Sequence, residues 1–142
     1  LDEIKYERLN PNIITYTCLI KGLLRNDRDE EAKKFLEEMI SLNISLNIIH
    51  GATLCSTLNA FFRRNLGNSA LTFFNYIKSQ SIKPDSKIYS IMVNGLMENG
   101  ENEKAEIIYR EMKECGFSLN HLNDIKKFRR SIESKFPRST YH

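Results

Sequence analysis

Three histidines and three cysteines are the residues best equipped for catalytic or metal chemistry, and their spacing gives them little to work with. His50, His121 and His142 lie far apart, and no H-x-E or C-x-x-C pair gathers ligands for zinc. Cys18, Cys55 and Cys115 are widely separated and odd in number, which excludes a disulfide scaffold and suits a reducing compartment. Cys55 follows His50 closely enough for a thiol–base pair, but no third group is in place to orient the base. Cys55 also reads as a small apolar residue. Neither G-x-x-x-x-G-K-[ST] nor G-x-G-x-x-G occurs, so no loop is built to cradle a nucleotide phosphate. No aspartate cluster suggests a metal-dependent nuclease. The residue types therefore predict a binding protein without catalytic activity, metal or cofactor, and without a small-molecule substrate.

The charged residues point to a partner instead. Residues 1–120 carry 15 basic and 16 acidic side chains, whereas residues 121–142 carry six basic and two acidic ones. The surplus sits in Lys126, Lys127, Arg129, Arg130, Lys135 and Arg138. Such a cluster suits a polyanion, although basic helix faces also serve simply as solvated surface.

These side chains need a scaffold, and the chain is long enough for one. Its 142 residues, 41% hydrophobic and 27% charged, match a soluble domain with a core. No apolar run nears the roughly eighteen residues of a membrane span, so no membrane partner is expected. The chain opens at Leu1 without Met, an Arg-rich leader or an apolar signal segment, as expected of a mature chain or a portion of one.

Internal repetition is the strongest feature. With Ala32, Ala70 and Ala105 aligned, residues 30–44 lie over 68–82 and 103–117, at offsets of 38 and 35. Upstream, residues 15–26 lie over 53–64 and 88–99. Each unit pairs two apolar segments of helical period around a short polar break, near Asp27–Asp29, Leu66-Gly67-Asn68 and Asn99-Gly100-Glu101. Asp29, Asn68 and Glu101–Glu103 suit the starts of the second helices. Hairpins of this kind bury their apolar faces only by stacking, which predicts an all-α fold, an α-solenoid.

Tyr16, Tyr89, the three alanines and the set Met39, Ile77 and Met112 read as packing residues. Gly22 and Gly95, with Ala60 in their register, are expected to permit close helix approach. Leu122, Ile125, Phe128, Ile132 and Phe136 share one face of a final amphipathic helix that caps the stack, its other side basic.

The repeat resembles the pentatricopeptide repeat. Ile-Ile-Thr-Tyr-Thr-Cys-Leu-Ile-Lys-Gly-Leu-Leu in residues 13–24, the later Glu-Ala and Glu-Glu-Met, and Ile-Lys-Pro-Asp at 82–85 carry the likeness. The tetratricopeptide repeat is the near alternative; its period of about 34 and its Trp signature fit less well, because the chain has no Trp. The resemblance divides the chain into 1–12 as the end of a preceding helix or repeat, repeats 13–50, 51–85 and 86–120, and a basic cap and tail at 121–142.

The resemblance implies single-stranded RNA binding, with one base read per repeat by two side chains. The first readers would be Thr17, Cys55 and Ser90. Their partners would be Asp85 for the second unit, Asn120 for the third, and either Asn47 or His50 for the longer first unit. Ser90 with Asn120, and Thr17 with Asn47, look like adenine readers, while the Cys55 thiol specifies poorly. Ile14, Ala52 and Lys87 would sandwich the bases, the last two departing from the usual branched apolar residue. Arg25 and Arg63 would face phosphates, with Glu98 as the exception in the third unit; Lys126, Lys127, Arg129 and Arg130 would add contacts from the tail. The resemblance further implies organellar RNA processing, stability or translation, in a mitochondrion in preference to a plastid. The alternative role is a structural subunit among protein and RNA neighbours in an organellar ribonucleoprotein such as a mitochondrial ribosome.

Overall fold

Six α-helices of 13 residues make up most of residues 12–46 and 49–117, the part of the chain that this computed structural model describes. They are α1 (Ile13–Arg25), α2 (Asp29–Ser41), α3 (Gly51–Arg63), α4 (Gly67–Ser79), α5 (Ser86–Glu98) and α6 (Asn102–Glu114). No strand occurs among the described residues. The fold is the all-α helical-hairpin repeat of α-solenoids. The expected leading segment 1–10 and the capping helix at 121–136 lie outside the described residues.

The chain divides into two units, Leu1–Lys83 and Pro84–His142. In the first, hairpin α1–α2 is followed by hairpin α3–α4, with α1 packed on α3 and α2 on α4. The second contains the hairpin α5–α6.

Local sequence explains where the helices start and stop. The Asn12 side chain accepts a hydrogen bond from the Thr15 amide at 3.1 Å, and Asp85 accepts one from Ile88 at 2.9 Å. Each satisfies one orphan donor of a first helix. The second helices do start at the expected residues, with Asp29 opening α2, Asn68 in the first turn of α4 and Glu103 in that of α6. Their N-cap residues, however, make no side-chain cap bond. The turns before them are instead closed by backbone bonds: Arg28 to Leu23, Leu66 to Phe61 and Glu101 to Leu96, at 2.8–2.9 Å. This six-to-one closure needs one left-handed residue, supplied by Asp27, Asn65 and Gly100 at φ of 62°, 63° and 78°. Gly67, read from sequence as part of that break, is the buried first residue of α4. The second turns also place a left-handed residue, at Asn43, Ser81 and Gly116, and the first and third are closed by Ile44 to Met39 and Phe117 to Met112.

Ala32, Ala70 and Ala105 are fully buried, and Met39, Ile77 and Met112, seven residues on and so on the same helical face, are buried too. Gly22 does not make the close approach expected of it: a Cβ there would meet nothing within 4 Å. Gly95 and Ala60 are buried.

Polar clasps tie the hairpins. The fully buried Tyr16 donates to Glu38 Oε2 at 2.5 Å, and Tyr89 donates to Glu111 Oε2 at 2.7 Å. The second hairpin exchanges this pair for Leu54 and Tyr76. The Tyr76 hydroxyl bonds the backbone carbonyl of Ile44, so its clasp joins the second hairpin to the first.

Candidate nucleic-acid interface

The packing of α1 on α3 opens a cleft of about 500 Å³, lined by Lys21, Leu24, Arg25, Ser56, Ala60, Arg63 and Arg64. Three observations set its electrostatics. Lys21 Nζ donates to Ser56 Oγ across the seam at 3.1 Å, and Ser56 donates in turn to Thr53 O at 3.1 Å. Arg64 reaches over to the start of α2: Nε bonds Asp29 Oδ1 at 3.0 Å and Nη1 pairs with Asp27 Oδ1 at 2.9 Å. The hydrogen bond and charge of Asp29 hold the Arg64 guanidinium above its ordinary pKa. Arg25 and Arg63, both exposed, pair with no carboxylate among the described residues. The cleft is therefore basic, with two cations open to an anion.

The structure brings Arg25 and Arg63 together and treats the other site residues unevenly. Thr17 and Cys55 occupy matching positions on α1 and α3, and both are buried. The Thr17 hydroxyl donates to its own helix, at Ile13 O (2.8 Å) and Ile14 O (3.1 Å). Ser90, half-buried on α5, donates to Ser86 O at 2.8 Å. With its proton committed, each hydroxyl keeps acceptor capacity alone. Ile14, Ala52 and Lys87 are exposed on the first turns of their helices.

Asp85 is exposed and caps α5, while His50 precedes α3 in the same slot without a side-chain cap bond. Asn12, His50 and Asp85 thus stand in one register, each directly before a first helix. Asn47, Asn120, Lys126, Lys127, Arg129 and Arg130 lie outside the described residues.

Sequence reasoning missed Lys21, Ser56 and Arg64. A signal was present for the first: Lys21 lies four residues after Thr17 and four before Arg25, on one helical stripe. The repeat register set Arg63 beside Arg25, but nothing in the sequence paired its neighbour Arg64 with Asp27 and Asp29.

Comparison with known proteins agrees with this geometry. The model of the PPR repeat family matches residues 11–49, and that of the PPR repeat matches residues 87–117. A pentatricopeptide repeat-containing protein of Arabidopsis thaliana is 31% identical over 103 residues, covering 67% of this chain and 16% of the relative. Two others from that plant, both named mitochondrial, are 28% identical over 113 and 119 residues. They cover 80% and 84% of this chain, and 11% and 20% of the relatives. The chain thus spans between about a tenth and a fifth of the length of these three proteins. Repeats that match the family's models, built into hairpins of constant length and turn, make this chain a member of the pentatricopeptide repeat family.

Proposed function

We propose that this chain binds single-stranded RNA without catalysis and acts in mitochondrial RNA processing, stability or translation, within a larger assembly of protein and RNA. Proteins of this family are generally non-catalytic RNA binders of organelles. The observation that carries the reading is the α1–α3 cleft, where Arg25 and Arg63 both line the wall and pair with no carboxylate among the described residues. Phosphate contacts dominate affinity for nucleic acid. Two relatives named mitochondrial support the location.

Base reading would fall to Thr17, Cys55 and Ser90 with His50 or Asn47, Asp85 and Asn120, and stacking to Ile14, Ala52 and Lys87. Ser90, an acceptor once its proton is given to Ser86 O, suits the exocyclic amine of adenine. The basic residues 126–130 would add phosphate contacts. A second reading, a structural subunit of an organellar ribonucleoprotein, draws on Thr17, whose burial and backbone bonds leave it little to offer a base.

Residue-level RNA crosslinking in the native complex separates them. Crosslinks at Ser90, Arg25 and Arg63 are expected. Crosslinks confined to 126–138 would favour the scaffold, and none at all would refute RNA binding.

A further inference from the structure

The cations of the α1–α3 cleft are not equivalent. Asp27 and Asp29 both engage Arg64, which bridges the end of α3 to the turn before α2 and is thereby occupied. Arg25 and Arg63 are exposed, with long mobile stems that any ligand must immobilise. Lys21 is different. It is half-buried on α1, and its ammonium is held across the seam by Ser56, itself anchored to the backbone at Thr53. An ammonium has three donors, and Ser56 takes one, so two remain for a ligand. The hydroxyl is neutral, so the bond leaves the lysine charge uncompensated. Beneath it, the buried Leu24 and Ala60 give the cleft an apolar floor that weakens dielectric screening.

We propose that Lys21, pre-positioned by Ser56, is a phosphate-binding residue that joins Arg25 and Arg63 in cradling one RNA phosphodiester at the seam of two consecutive hairpins. The proposal rests on the RNA-binding reading and adds a ligand group to it. A phosphodiester has two non-bridging oxygens, each able to accept more than one hydrogen bond, enough for one ammonium and two guanidiniums together. The contact is made to the backbone, so Lys21 contributes equally whatever base the adjoining readers meet. Ser56 acts as a positioning residue: it removes rotamer freedom from Lys21 before the ligand arrives.

The test uses the whole chain with short fluorescent oligouridylate and oligoadenylate, titrated by anisotropy over a range of salt. Lys21→Met is expected to weaken binding to both oligomers by the same factor. It should make the slope of log K against log salt shallower by about 0.7, the release from one single-strand phosphate. Lys21→Arg should keep the slope, and Ser56→Ala should weaken binding while leaving the slope unchanged, because no charge is lost. If wild type binds and Lys21→Met has its slope, the lysine makes no phosphate contact and the proposal falls while RNA binding stands. A wild type that binds neither oligomer overturns both. Circular dichroism certifies the helices of each variant. Should Lys21→Met unfold, Lys21→Gln takes its place with the same expected slope. A methylphosphonate at one linkage supplies a second readout: it should weaken wild type more than the lysine-less variant, and equal losses at every linkage would overturn the proposal.

Discussion

Replacing Tyr16 by Phe removes one oxygen from a fully buried ring and nothing else. That oxygen donates to Glu38 Oε2 at 2.5 Å, tying α1 to α2. Hydrogen bonds to charged groups contribute about 1.5–3 kcal/mol. Glu38 is half-buried, so water competes for the carboxylate and the lower end applies, about 1.5 kcal/mol. Urea unfolding followed by circular dichroism should show a midpoint lower by roughly 0.5–1.5 M, given slopes of about 1–3 kcal/mol per molar. Tyr76→Phe is the internal comparison, because its hydroxyl bonds a neutral carbonyl, that of Ile44, and should cost only about 1 kcal/mol. It also loosens a different joint, between hairpins rather than within one. A double-mutant cycle of Tyr16→Phe with Glu38→Ala, which leaves no acceptor, isolates the pair, and a coupling energy of zero would refute the clasp.

Two further outcomes follow from the same geometry. Burial, then the hydrogen bond and charge of Glu38, hold the Tyr16 phenol above its ordinary 10.0; burial and Glu111 do so for Tyr89, and burial for Tyr76. Unfolded tyrosines shed protons that the folded ones keep, so stability is full below about pH 10 and falls as pH rises above it. Thermal melts across that range should show the fall, and Tyr16→Phe should make it shallower; an unchanged profile would count against the phenol. Asp85→Ala removes the α5 cap and should cost about 1 kcal/mol, read as faster amide exchange at Ile88, whereas Asp85→Asn should retain most of it.

Much of the repeat was legible because its cues are local. Offsets of 38 and 35 place six helices of equal length, and they also locate the left-handed residues, at 27, 65 and 100 and again at 43, 81 and 116. The misreading at Gly67 has a simple cause. Asn65 tolerates a left-handed backbone, and Gly67, although permissive, is not asked for it. The site was legible in residue type more than in state. Thr17, Cys55 and Ser90 stand out by position, yet only the folded chain shows Thr17 buried with its proton spent on α1.

Sequence alone determined the period, the helical faces and the family, since helical spacing and turn chemistry act over a few residues. Tertiary structure decided which polar groups meet. Lys21 finds Ser56, Arg64 finds Asp29, and Tyr76 finds Ile44, across 35, 35 and 32 residues. These pairs depend on how α1 lies against α3 and α2 against α4, and on how far each side chain reaches. That choice separates two adjacent arginines: Arg63 stays open to an anion, while Arg64 is neutralised by carboxylates from the neighbouring hairpin.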